Sequence, residues 1–213
     1  MDLQEKQVVE LHFPFTADML PSDHGYQLYS AICNRIKEAH AAEWLGIHSI
    51  QGRRIDKGVI KPGRFSKLRL RLPLDKVPTM YALAGSSIAV GEHHLRCGVP
   101  ELHMLSASEN LRARLVIIKV KGSEGSSAEC ESFLEAAEKQ VMALSSSASV
   151  KLEPDFNGTY ARRVLKIKDS VLTGYGLVVT NLREEESIKL QEKGIGGRRR
   201  MGCGLFVPIQ GEN

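Results

Sequence analysis

What most constrains the fold is an order of elements that occurs twice along the 213 residues. In the first half, Val8 to Phe15 reads as a strand. The apolar spacing Leu28, Ile32, Ile36 and Ala39 predicts a helix from His24 to about Glu43, with Ser22 or Asp23 as its cap. Residues Ile47 to Gly63 read as irregular and basic. The strict alternation Lys67-Leu68-Arg69-Leu70-Arg71-Leu72 then predicts a half-buried strand whose arginines face water or a ligand. A short helix over Asp75 to Ala84 and a pair of strands within Ile88 to Leu105 follow. The second half repeats the order: a strand over Arg114 to Lys121, a soft loop over Gly122 to Ser127, and an amphipathic helix marked by Phe133, Leu134, Ala137, Val141 and Leu144. Val150 to Leu152, Arg163 to Lys168 and Val171 to Thr180 read as strands. Gly174 and Gly176 suggest close backbone approach or a bulge. A helix over Glu184 to Lys193, a glycine-rich loop over Gly194 to Gly204 and a last strand from Leu205 complete it. Two βαββαβ units in tandem, 1–108 and 109–213, are the expected organisation.

Charge narrows the function. Lys and Arg number 29 against 25 Asp and Glu, a formal net charge of +4, but the distribution is uneven. Acids gather around Glu129 to Glu138 and Glu184 to Glu192. Cations gather at Arg53, Arg54, Lys57, Lys61, Arg64, Lys67, Arg69 and Arg71, at Arg162, Arg163, Lys166 and Lys168, and at Arg198, Arg199 and Arg200. Three such patches point to a polyanionic partner, although any one of them would serve simply to solubilise a surface. No apolar run reaches the length of a membrane span and the N-terminus begins with charged residues, so a cytoplasmic protein with no membrane partner is expected. The four cysteines form no CxxC pair, so neither a zinc ribbon nor a disulfide framework is expected. His93, His94, Cys97 and His103 are the one cluster that resembles metal ligands. On an extended strand His93 and Cys97 stand about 13 Å apart, at ~3.3 Å per residue, so no metal site is expected.

The most unusual stretch is Gly194-Ile195-Gly196-Gly197-Arg198-Arg199-Arg200-Met201-Gly202-Cys203-Gly204. It lacks the GK[ST] of a Walker loop and breaks the GxGxxG spacing of a dinucleotide fingerprint. The expectation is an anion-binding nest of amides at Gly194, Gly196 and Gly197, with Arg198, Arg199 and Arg200 supplying bidentate phosphate contacts.

With its basic, glycine-rich loop before the last strand, the chain resembles the tandem ferredoxin-like (RRM-like) α+β proteins of CRISPR systems known as RAMP proteins. Within them, the ending GIGGRRRMGCGLFVP and the opening LPSDHGYQLYSAI are similar to CRISPR repeat-processing endoribonucleases of the MYXAN subtype. The resemblance implies a metal-independent, cofactor-free cut in precursor CRISPR RNA, with the ribose 2′-hydroxyl as nucleophile. It implies CRISPR repeat RNA as partner, and other subunits of a Cascade-like complex as further partners. By the same resemblance His48, just past the first helix, is the expected catalytic histidine, with His40 the fallback. Arg54 matches a position that contacts the scissile phosphate. Cys33 occupies a place filled by tyrosine in some members, and Tyr29, one turn earlier on the same side, is the expected catalytic substitute for it. Arg53, Lys57, Arg64, Arg162 and Arg163, with the glycine-arginine loop, are the expected RNA-binding residues. The competing function is a catalytically silent RAMP subunit that only holds guide RNA; both readings use the loop, and only the first uses His48. Aromatics make up 6% of the chain, without the RNP pattern of closely spaced rings, so phosphate and 2′-hydroxyl contacts are expected to outweigh base stacking on the sheet.

Overall fold

The computed structural model describes residues 7–56, 58–120, 127–155 and 158–209. The expected loop at Gly122 to Ser127 falls almost wholly outside them, as does Lys57. The chain divides into two units. The first is Met1–Leu105 with Leu165–Asp169 and Arg200–Gly202; the second is Ser106–Val164, Ser170–Arg199 and Cys203–Asn213. Two short late segments thus pack with the first unit, which a single boundary along the sequence does not express.

In the first unit the strands are β1 (Val8–Thr16), β2 (Leu20–Pro21), β3 (Gly46–Ile47), β4 (Gly52–Asp56), β5 (Val59–Pro62), β6 (Lys67–Pro73), β7 (Ser87–Val90), β8 (His93–Cys97) and β9 (Glu101–Met104), with helices α1 (Gly25–Arg35) and α2 (Val77–Tyr81). The antiparallel main sheet runs β3-β6-β1-β8-β7, with β9 also on β1, and a small sheet runs β2-β5-β4. Alternation decides which side of β1 and β6 is apolar: Val9, Leu11 and Phe13 with Leu68, Leu70 and Leu72 face the core, where Leu28 and Ile32 of α1 cover them. The opposite side carries Glu10, His12, Arg69 and Arg71, with Glu10 directly across from Arg71 and His12 across from Arg69. Arg71 is the correction here: the alternation predicted arginines facing water or a ligand, yet this one is 1% exposed because it is paired with Glu10.

Helix α1 is shorter than the periodicity predicts. Ile36 takes extended backbone, φ −126° and ψ 96°, and a separate 3-10 turn over Lys37–Ala41 follows. Ala39 from that turn still enters the core, so the apolar face continues while the helix axis does not. No side chain caps α1. Instead His24 Nδ1 donates to Pro21 O at 2.7 Å while its Nε2 accepts the Ile50 N–H at 2.9 Å, so one neutral imidazole fastens the helix start to the segment entering β4. The stretch Ile47 to Gly63, expected to be irregular, forms strands β4 and β5. Every β4 residue is exposed, which leaves no alternation for a sequence reading to find.

The second unit holds β10 (Leu111–Val116), β11 (Ser149–Leu152), the first half of β12 (Arg162–Ile167), β13 (Ser170–Thr180) and β14 (Val207–Pro208), with α3 (Ser127–Met142) and α4 (Glu184–Lys193). Its sheet order is β11-β13-β10-β14, with β12 on β13. Phe133, Ala137 and Val141 from α3 and Leu190 from α4 fill the core against Leu111, Leu177 and Val179. The register between β10 and β13 shifts between Ala113 and Val116, and Gly174 lies where a Cβ would collide with Val116 O. Helix α4 is started by Glu186, which accepts the Arg183 N–H at 3.1 Å and its guanidinium at 2.6 Å.

Candidate active site

The first unit brings Tyr29, His40 and Arg200 together. Tyr29, on the buried face of α1, donates its hydroxyl to His40 O at 2.9 Å. The Arg200 guanidinium lies 5.3 Å from the Tyr29 ring centroid and donates to the same carbonyl. One acceptor therefore receives two donors, and the 3-10 turn that ends α1 is held with its His40 side chain exposed and roughly parallel to the Tyr29 ring, centroids 6.5 Å apart. The segment bearing Arg200 reaches this place by close backbone contact. A Cβ on Gly25 would collide with Met201 O, and one on Gly202, at φ 86°, would stand 2.5 Å from Ser49 Oγ. Burial raises the Tyr29 hydroxyl pKa above its usual value, and contact with Cys33 adds to that, so the phenol stays protonated at neutral pH. Burial likewise raises the Cys33 thiol, one turn further along α1.

His48 lies between Ile47 and Ser49, both of which run against Gly202. It follows β3, bonds Arg69 O through its amide at 3.0 Å, and turns its ring to the polar side of the sheet. There its Nε2 stands 3.0 Å from Glu10 Oε1, off the axis of a hydrogen bond. The residue is 9% exposed. Burial pulls its pKa down to about 4; Arg71 and Arg69 act the same way, while Glu10 opposes them. Glu10 itself is the hub. Its Oε1 accepts Arg71 Nε and Nη2 at 3.0 and 2.6 Å, and its Oε2 accepts Arg69 Nε and Nη2 at 3.0 and 2.7 Å, with His12 Nε2 at 2.7 Å. Burial would raise this carboxyl, but the hydrogen bond from His12, the close approach of the His48 ring and the Arg71 charge hold it well below the carboxylate range. The structure thus places His48, expected as the catalytic histidine, 9% exposed against Glu10, where burial favours its neutral form. The sequence signal that was missed is Glu10, an acid between the apolar residues Val9 and Leu11, matched by arginines at alternate positions of β6.

The basic residues divide by what they already hold. Arg53 and Arg54 stand exposed on β4 and Arg64 just after β5. Arg162 is exposed on β12, with Thr173 Oγ1 at 3.3 Å. Arg163 is tied down: its Nη1 donates to Arg114 O at 2.6 Å and to Glu153 Oε2 at 2.8 Å. Arg198 is exposed with φ 67°, a backbone conformation that glycine adopts more readily. Arg199 opens a 3-10 turn over Arg199–Met201.

The glycines of the loop do something other than form a nest. The Gly196 N–H donates to Gln140 Oε1 at 2.9 Å, Gly197 to Ile117 O at 3.0 Å, Gly194 to Leu190 O at 2.8 Å and Gly204 to Leu115 O at 2.8 Å. A Cβ at Gly194 would collide with Gly204 O, and one at Gly204 with Ile195 O. These residues are glycine because two backbone passes cross there. Their amides are spent within the fold, so the expected anion nest at Gly194, Gly196 and Gly197 is corrected to a packed crossing, and anion contact from this loop falls to the arginine side chains. β8 runs extended, with His93 and Cys97 at its two ends, and among the described residues no group of three ligating side chains is gathered.

Solved structures place the fold. A RAMP protein described as binding different RNA substrates superposes with a TM-score of 0.69 at 15% identity, covering 96% of this chain and 100% of that one. A Cas6-related protein from Pyrococcus furiosus superposes with a TM-score of 0.67 at 12% identity, again over 96% of this chain and 100% of that one. The fold is thus the tandem ferredoxin-like α+β fold. A family model described as Cas6 Crispr matches residues 9–211. The CRISPR-associated endonuclease Cas6 of Myxococcus xanthus strain DK1622 is 33% identical over 200 residues, spanning 94% of this chain and 81% of that protein. The chain belongs to the Cas6 family of CRISPR-associated endonucleases. No helix among the described residues is long and apolar enough to cross a membrane.

Proposed function

We propose that this protein is a metal-independent endoribonuclease that cuts CRISPR repeat RNA in its precursor transcript, with His40 as the proton-transferring imidazole. The ribose 2′-hydroxyl attacks the adjacent phosphate, the bond to the 5′-oxygen breaks, and the products carry a 2′,3′-cyclic phosphate and a 5′-hydroxyl. The observation that carries the assignment is the exposed His40 ring held by Tyr29 and Arg200 through its own carbonyl. Imidazole is the side chain that most readily both takes and gives a proton near neutrality, so a histidine here can take the 2′-hydroxyl proton or give one to the 5′-oxygen. Tyr29 positions the turn rather than donating a proton, since its hydroxyl is already given to a carbonyl. Arg200 has five N–H donors, and those not on His40 O bring positive charge to the phosphorane. Arg54, Arg53, Arg64, Arg162 and Arg198 supply exposed guanidiniums for the RNA backbone. The cut product stays bound, and the protein serves as a subunit of a Cascade-like complex.

The test is cleavage of repeat RNA in EDTA by wild type, His40→Ala and His48→Ala, beside a substrate with a 2′-deoxy sugar at the cut site. Wild type cuts. The deoxy substrate stays whole, and His40→Ala slows cleavage by about 10²- to 10⁴-fold while still binding RNA. Full activity in His40→Ala, or a requirement for added metal, refutes the mechanism; RNA that wild type binds and never cuts favours the silent subunit.

A further inference from the structure

Phe65 is 77% exposed, the most exposed large apolar side chain among the described residues. It is not on a loose loop. The Ser66 N–H donates to Gly63 O at 3.0 Å, closing a four-residue turn. The Ser66 hydroxyl accepts the Gly63 N–H at 2.9 Å and donates to Gln51 O at 2.7 Å, which fastens the turn to the start of β4. Arg64 and Phe65 are its two central residues, and the Arg64 guanidinium lies 4.4 Å from the Phe65 ring centroid. A rigid turn thus holds an aromatic ring out in solvent, with a cation on one face and the remainder uncovered. Burying nothing, the ring does no work for the core, and water contact makes its position unfavourable. The surroundings select an occupant. Residues 51–67 contain the cations Arg53, Arg54, Lys57, Lys61, Arg64 and Lys67 and a single acid, Asp56. A polyanion with flat apolar faces satisfies both the charge and the ring; an acidic peptide satisfies only the charge.

We infer that Phe65 is a stacking platform for one unpaired nucleobase of the bound RNA, with Arg64 extending the stack and meeting the neighbouring phosphate. This rests on the RNA-cleaving reading above. It adds a base contact made off the sheet, at a place where the sequence showed only charge, and it makes Phe65 a determinant of where a single-stranded part of the repeat is held. Stacking tolerates any base, so the contact fixes register and unpairedness rather than base identity.

The experiment uses the full chain and a repeat RNA from the source organism's CRISPR array carrying 2-aminopurine at each unpaired position in turn. Stacking quenches the probe. Wild type quenches one position strongly, Phe65→Ala loses that quench, and Phe65→Trp keeps it. By anisotropy, Phe65→Ala weakens binding by about 5- to 100-fold, as loss of one base–aromatic stack does. Its salt slope is unchanged, because no phosphate contact is removed, whereas Arg64→Ala lowers that slope by about 1. If wild type binds and cuts the repeat while Phe65→Ala binds it within twofold, or no probe position depends on Phe65, the stacking inference is wrong and the enzyme reading stands. If wild type neither binds nor cuts, both fall together.

Discussion

Acid should loosen the first unit through His48, and His48→Gln should remove that effect. In the fold this imidazole is neutral with a pKa pulled to about 4; in the unfolded chain it titrates near its ordinary value of about 6.5. As pH falls below about 6.5 the unfolded chain takes up the proton and the folded one does not. The stability tied to the neutral ring is therefore fully present above that pH and lost as pH falls toward the folded value. At pH 5 the unfolded chain is favoured about 30-fold by this proton alone, which is about 2 kcal/mol, most of it absent at pH 7. The depressed carboxyl of Glu10 acts in the same direction, but below its own unfolded value, so a window from pH 7 to pH 5 isolates the histidine. The assay is urea unfolding followed by fluorescence of Trp44, the chain's single tryptophan, which packs against the first core. Wild type should lose about 2 kcal/mol more than His48→Gln between the two pH values. Parallel stability curves for the two proteins would show that the imidazole is not held neutral in the fold, and the structural assignment of His48 would fail.

Two further outcomes follow from the geometry. Tyr29→Phe removes one of the two donors on His40 O, and a hydrogen bond is worth about 1 kcal/mol, so cleavage should slow by roughly fivefold with an unchanged pH profile; complete loss of cleavage would mean that the hydroxyl moves a proton. Gly204→Ala places a methyl against Ile195 O at a φ of 66° and should destabilise the second unit by at least about 2 kcal/mol, measured by thermal unfolding; an unchanged melting temperature would refute the packed crossing.

How much of this could be read from the sequence depended on whether a residue's surroundings imprint a period. Leu68, Leu70 and Leu72 alternate because one side of β6 is core, and the strand was legible. β4 and β5 were not, because a hairpin exposed along β4 carries no period at all. Helix α1 was overrun past Ile36 because Ala39, in the following turn, buries on the same side as Ile32. The glycine-arginine loop was found by its composition, but composition does not say whether an amide is open, and the partners that close these amides, Gln140, Ile117 and Leu115, lie far away in the chain. His48 and His40 flank the same short stretch. Only the pairing of β3 with β6, which sets His48 beside Glu10, decides which of them faces solvent.

The edge of the small sheet has a consequence for handling the protein. β4 is the last strand of the small sheet among the described residues, and an edge strand invites a second chain to add itself there. Arg53 and Arg54 guard it by mutual repulsion between copies. Sulfate, heparin or excess nucleic acid would neutralise that guard, so preparations stripped of salt and RNA should stay dispersed, and partially loaded ones should be the first to clump.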